Sequence, residues 1–359
     1  MIAPCARPRG KQSVGALIAA LTTLVAPGAG AYEAYPLHPV HETLTHLALQ
    51  CLDRYQGARP IDCRPEAARV QVEARWRLFR RFTAEEKANT WADDPARELA
   101  PLTFARFAMA LKDGCALAAA EAEGDYSLDR SGLMCGSHYG QLQFLHAMRS
   151  RPEESFDDSL ARIGDWAGFT FAVAAGHIAP EQPYCRVFAV EAPAIADDMA
   201  PAECATRRLY GDQMGDWTVA TLFSRRCGHI LASRRCLRLD LPNASIQMTA
   251  QGALLHLVQD SYSQSHAVRG PIINPFDARI DCAAVSGFHF YDAATAPSHR
   301  AADRPPVLAA SCSASADTGV DDVVAASATA IWMMRQRVDR DLFSGYLQAH
   351  VLGVAQGAA

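Results

Sequence analysis

Apolar residues recur at three- and four-residue intervals through long stretches of this chain, and the segments between them are rich in Gly, Pro, Ser and Cys. That spacing marks one face of an α-helix. It predicts a helix over 65–88 (PEAARVQVEARWRLFRRFTAEEKA), opening with Pro65 in its first turn. Two apolar helices are expected over 155–176 and 211–232. A fourth runs over 243–269 (NASIQMTAQGALLHLVQDSYSQSHAVR), with Asn243 as its cap. A fifth, over 321–351, opens with two aspartates that suit a helix N-terminus. Strict alternation, the mark of a half-buried strand, is scarce. The predicted fold is all-α: a single large helical domain in which 112–138, 177–210 and 270–316 form long disulfide-tied loops.

The first 31 residues depart from this pattern. Arg7, Arg9 and Lys11 precede the apolar run VGALIAALTTLVA, and Ala29 to Ala31 read AGA. A short basic stretch, an apolar run too short to span a bilayer and a small-residue cleavage site predict a secretory signal peptide over 1–31. Tyr32 is then the first mature residue, the helical domain covers 32–359, and the protein is periplasmic or secreted. Ten of the 11 cysteines lie beyond residue 31, so disulfides are expected in that oxidising setting. Pairing of sequence neighbours (51–63, 115–135, 185–204, 227–236, 282–312) would staple five local loops, one of many connectivities that ten cysteines allow. No C-x-x-C spacing occurs, which argues against zinc held by thiolates. Any metal would fall to histidines and carboxylates. The net charge is −5, and the first 31 residues hold three bases and no acid, so the remainder is near −8. That balance argues against a broad basic track for nucleic acid.

The stretch HETLTHLALQ (41–50) is close to the H-E-x-x-H helix of zinc proteases, but its second histidine comes one position late. At roughly 100° per residue, His41 and His46 lie about 140° apart on a helix and cannot chelate one metal from one face. Glu42 then has no role as a catalytic base, and His46 mainly packs. In ALLHLVQDSYSQSHAVR, His256 and Asp260 are four apart, so they share a face and can reach one metal. His266 lies six beyond Asp260, faces elsewhere by helix phase and could serve a second ion. SHRAADR repeats the pairing with His299 and Asp303. Upstream, NTWADDPAR offers Asp93 and Asp94, and CGSHYGQLQFLHAM offers His138 and His146.

This order resembles the zinc-dependent phospholipase C and S1/P1 nuclease superfamily. The likeness rests on H-x-x-x-D-x-x-x-x-x-H at 256–266, W-x-D at 91–93, S-H-aromatic at 137–139 and H-x-x-x-D at 299–303. It implies an all-α, exported enzyme with three Zn²⁺ ions in one cleft. By the resemblance, Asp93, His138, His256 and Asp260 hold the first zinc. Asp260 bridges to a second zinc held by His41 and the amino terminus of Tyr32, and His266, His299 and Asp303 hold the third. Asp93 and Asp260 are the implied catalytic carboxylates, Asp93 as possible base and ligand. Clustered zinc lowers the pKa of bound water and polarises a phosphoryl oxygen, and nitrogen and oxygen ligands suit it. The sequence departs from the pattern at Tyr32, where the family has tryptophan. It departs also at Gln141, where an acid commonly stands, and at Gln264-Ser265, where Gln-Pro is usual.

Plainer roles compete. His146 packs on an apolar stretch as core or as a partner to a ligand, and Trp91 and Trp166 read as core. His289 and Asp292 compete with His299 and Asp303, and Asp94 competes with Asp93. The resemblance implies a phosphodiester hydrolase. Its substrate is a phospholipid at a membrane surface, giving up a phosphorylated head group, or single-stranded DNA or RNA. Acidic charge and the distance from Tyr32 to His41 lean toward phospholipase C. H-x-x-x-D in place of H-x-x-x-E leans toward nuclease. A non-catalytic exported binding protein with a decayed metal site is the reading that Gln141 favours. No obligate protein partner is evident.

Overall fold

The computed structural model describes residues 39–70, 81–96, 115, 128–227, 236–269, 283–291 and 319–354. The expected signal peptide, Tyr32, Asp292, His299, Asp303 and the 282–312 cysteine pair lie outside them. The described residues are mostly helical, with three two-stranded antiparallel ribbons.

In chain order the helices are α1 (Val40–Arg54), α2 (Arg64–Ala67), α3 (Ala84–Ala88), α4 (Leu128–Tyr139), α5 (Phe156–Ala175), α6 (Tyr184–Glu191), α7 (Ala196–Met199), α8 (Val219–Ser224), α9 (Asn243–Asp260), α10 (Val323–Arg335) and α11 (Arg340–Tyr346). The ribbons pair β1 (Arg208–Leu209) with β2 (Asp212–Gln213), β3 (Arg225–Cys227) with β4 (Cys236–Arg238), and β5 (Ala267–Arg269) with β6 (Val285–Phe288). Helix α9 is central: it packs on α5, α3, α8, α10 and the tight turn Asn89–Trp91, while α1 lies along α10. Leu44, Leu47, Trp166, Phe169, Leu254 and Ile331 are sealed in the core between them, and each such side chain contributes about 1.5–3 kcal/mol. Among the described residues no helix is long and apolar enough to cross a membrane.

Helix α5 follows the predicted span closely, with Ser155 accepting the Asp158 N–H at its start and Gly176 in the left-handed conformation at its end. The other long helices are shorter than their periodicity implies. Within 65–88 the described residues form α2, which ends at Ala67, and α3, which Thr83, in extended conformation, begins with a capping box: its hydroxyl takes the Glu86 N–H, and Glu86 takes the Thr83 N–H. Within 211–232, Thr218 starts α8 and the β3 strand with the Cys227–Cys236 bond ends it. Helix α9 stops at Asp260, leaving 261–269 to turn back as β5. Pro242, not Asn243, stands at the N-terminal boundary of α9, with no side-chain cap, and the Asn243 amide donates to Glu181 instead. The 321–351 stretch is broken between α10 and α11, and Asp322 caps α10 through the Val324 and Ala325 N–H groups. The loop 177–210 carries α6 and α7.

Four disulfides close as sequence neighbours: Cys51–Cys63, Cys115–Cys135, Cys185–Cys204 and Cys227–Cys236. They suit an oxidising compartment.

Candidate metal centre

The packing that builds the core also sinks a group of ionisable side chains into it. His41 is on the first turn of α1, Asp93 follows the turn Asn89–Trp91, and His146 ends the tight turn Gln143–His146. His256 and Asp260 lie one turn apart on α9. All are buried. Their ligand atoms form two metal-sized groups, His41–His256–Asp260 and Asp93–His146–His256, each with all donors within 4.8 Å of one another.

The distances are those of a coordination shell. His146 Nδ1, His256 Nε2 and Asp260 Oδ2 are mutually 3.0 Å apart. Asp93 Oδ1 lies 3.6 Å from His256 Nε2, and Asp260 Oδ1 lies 3.4 Å from His41 Nε2. Donors around a tetrahedral zinc with bonds of about 2.0–2.1 Å sit about 3.3 Å apart.

Tautomers decide what these atoms can do. His256 Nδ1 donates to the Asn89 carbonyl at 2.8 Å, His266 Nδ1 to the His146 carbonyl at 2.8 Å, and His138 Nδ1 to the Met134 carbonyl at 3.0 Å. His41 Nδ1 donates to Gln259 Oε1 at 2.8 Å. A carbonyl only accepts, so in each ring the proton is committed to Nδ1 and Nε2 is the coordinating nitrogen. His256 Nε2 therefore turns a lone pair toward Asp93 Oδ1. A carboxylate facing an imidazole lone pair in a buried site is unfavourable unless a cation sits between them. Holding a histidine by its outer N–H is how proteins orient metal ligands.

The orienting contacts form a network of their own. Thr45 Oγ1 accepts the Gln259 amide at 3.0 Å and the Asn89 amide at 2.8 Å, turning the Gln259 oxygen toward His41. Gly252 makes the Asn89 contact possible. A Cβ there would lie 2.5 Å from Asn89 N and closer still to the Ala88 carbonyl. Without a side chain, α9 approaches the end of α3 closely enough for His256, one turn on, to reach the Asn89 oxygen.

Charge in the metal-free cluster centres on Asp260. Burial would raise its pKa, but His256, His266 and His146 hold it well below the usual carboxylate range. Burial opposes a proton on His41, yet its contact with Asp260 and the charge of Asp93 push it up to about 9. His146 goes the other way, to about 4, chiefly through burial. Glu42, buried beside His41, rises to about 7 by burial.

Several buried atoms still lack a hydrogen-bond partner among the described residues: Asp93 Oδ2, His146 Nε2, Asp260 Oδ1 and Glu42 Oε2. Orphans of this kind are costly, and a cation among them would satisfy the Asp93 and Asp260 oxygens. The buried histidines and aspartates can thus hold a metal ion, and their nitrogen and oxygen donors fit zinc.

The structure brings together most of the residues singled out in the sequence. His41, Asp93, His256 and Asp260 converge, and His138 borders them with its ring 5.0 Å from that of His146. His266 does not face away. Because α9 ends at Asp260, the following turn returns His266 Nδ1 to 3.3 Å from Asp260 Oδ2. His146, read as core or as a partner to a ligand, belongs to a metal-sized group itself. Asp93 rather than Asp94 enters that group. His289 lies beside His266, whose carbonyl takes the His289 N–H at 2.7 Å. His46 points away and pairs with Glu86 at 2.6 Å. Trp91 and Trp166 stack in the core. The fold and site define a mostly helical, disulfide-stapled protein with a buried histidine–aspartate cluster. Comparison with protein-family models, curated proteins and solved structures finds no match.

Proposed function

We propose that this chain is an exported zinc-dependent phosphodiester hydrolase, with phospholipid head-group release as its reaction. The observation that carries the metal reading is a pair of imidazoles whose Nδ1–H groups are spent on carbonyl oxygens, so that His256 Nε2 is turned toward Asp93 and His41 Nε2 toward Asp260 in a buried space, where a metal would displace any proton on Nε2. His41, Asp93, His146, His256 and Asp260 would hold the metal, with His138 and His266 at its edges. Tyr32, His299 and Asp303 complete the set that the sequence resemblance implies. Bound zinc would supply a water that ionises near neutral pH and a Lewis acid for the phosphoryl oxygen. Asp260 has Oδ1 3.4 Å from His41 Nε2 and Oδ2 3.0 Å from His146 Nδ1 and His256 Nε2, which supports a role in holding more than one ion. Asp93 would supply a ligand oxygen, and by the sequence resemblance it is the possible base. Gln259, Thr45 and Asn89 hold the imidazoles in the coordinating tautomer.

Acidic net charge supports lipid over nucleic acid as substrate. A nuclease is the second reading, favoured by Tyr139, a half-buried ring beside His138 with Tyr291 behind it, which suits base stacking. Incubation of the zinc-loaded protein with phosphatidylcholine vesicles and, separately, with single-stranded DNA tests both. Phosphocholine release with intact DNA is the expected result. DNA cleavage with intact lipid would establish the nuclease, and neither reaction would point to a non-catalytic binding protein.

A further inference from the structure

Arg149 stands apart from the other arginines of the described structure. The half-buried or buried ones elsewhere are all engaged: Arg162 by Glu154 and Asp198, Arg225 by Asp212, Arg340 by Glu191, and Arg269 by carbonyl oxygens of Ser261, Ala283 and Val351. Arg151, two residues on, also reaches Asp198. Arg149 has no carboxylate partner among the described residues, and its Nε is buried without a hydrogen bond. The acids of its neighbourhood are taken: Glu154 binds Arg162, Ser150 and Ser159.

The backbone that carries it is fixed from several sides. The Arg149 N–H donates to the His289 carbonyl at 3.0 Å, and the His289 N–H donates to the His266 carbonyl at 2.7 Å. The Gln143 side chain bonds both the Tyr291 carbonyl, at 3.0 Å, and the Tyr291 N–H, at 2.9 Å. His266 Nδ1 ties to the His146 carbonyl. Residues 143–149, 266 and 289–291 are therefore one braced unit. Ala147, in the left-handed conformation, turns the chain sharply between the donor His146 and Arg149. Arg149 is half-buried with its Nε sealed from water, and with no carboxylate partner among the described residues its charge can take an anion.

We infer that Arg149, braced against His266 and His289 at the edge of the histidine–aspartate cluster, is an anion-binding residue that takes a phosphoryl oxygen of the substrate. The inference deepens the phosphodiesterase reading and rests on it for the identity of the anion. Arginine suits the task because its planar fork makes two parallel bonds to phosphate.

The test compares wild type, Arg149→Met and Arg149→Lys, each zinc-loaded and each metal-free, with inorganic phosphate as the probe in calorimetry and zinc counted alongside. Met keeps the apolar stem, and Lys keeps the charge without the fork. The expected result is a phosphate affinity about 10- to 100-fold weaker in Arg149→Met, partial recovery in Arg149→Lys, and unchanged zinc content in both. Zinc-loaded Arg149→Met binding phosphate as tightly as wild type would overturn the inference. If no variant retains zinc, the metal reading fails separately and the metal-free proteins decide. Phosphate binding by wild type that is lost in Arg149→Met supports an anion site, and no difference between them overturns it.

Discussion

In the presence of a chelator, His41 carries two protons, one on Nδ1 donated to Gln259 Oε1 and one on Nε2 facing Asp260, and this makes the metal-free protein lose stability in mildly alkaline solution. Its pKa moves from 6.5 to about 9 on folding. A group whose pKa is raised in the folded state stabilises fully below its unfolded value, and that contribution disappears as pH rises through the folded value. The whole contribution is about 3 kcal/mol at 1.36 kcal/mol per pH unit, and about 1.5 kcal/mol of it is lost between pH 7.5 and 9. The window matters because Glu42, raised to about 7, makes its own loss between pH 4.5 and 7, and His146, lowered to about 4, acts below 6.5. Urea unfolding in chelator at pH 7.5 and 9, for wild type and His41→Gln, isolates the effect. Wild type should be less stable at pH 9 by about 1.5 kcal/mol, and the variant should show little of that difference. A flat wild-type profile, or the same fall in His41→Gln, would refute an imidazolium at His41. Zinc should reverse the trend, because binding displaces the His41 proton and tightens as pH rises.

Three other outcomes follow from the same geometry. Gly252→Ala should cost about 1–3 kcal/mol or more in urea unfolding, because the new methyl meets the Ala88–Asn89 backbone; it should also weaken zinc by displacing the Asn89 oxygen from His256. Gln259→Leu should lower zinc affinity about 10- to 100-fold, read by competition with a chelating dye, while the protein stays folded, since only the orientation of His41 is lost. Thr83→Ala should cost about 1 kcal/mol in unfolding with zinc content unchanged, because it removes the cap of α3 and leaves the cluster intact.

What the sequence made legible is what a regular helix encodes. The four-residue spacing of His256 and Asp260 places them on one face, and both point into the cluster. Helix phase also separates His41 from His46, which pairs with Glu86 instead. Neighbouring cysteines close as four local bonds, as short loops in an oxidising setting favour. Helix phase is no guide where the chain leaves the helix. The phase that turns His266 to another face ends at Asp260, and the turn beyond brings it back to that carboxylate. His146 sits on a tight turn ended by a left-handed Ala147, and no α-period describes that geometry. Two signals were available. T-A-E-E at 83–86 has the capping-box form, and a glycine at 252 inside a long apolar helix marks a close backbone approach.

Zinc content of the purified protein, by elemental analysis after loading and exhaustive dialysis, bears most directly on the buried cluster. Wild type should retain zinc, and Asp260→Asn should retain clearly less, because that carboxylate faces both donor groups. Wild type that emerges without metal, or Asp260→Asn with the wild-type amount, would contradict a metal centre at these residues.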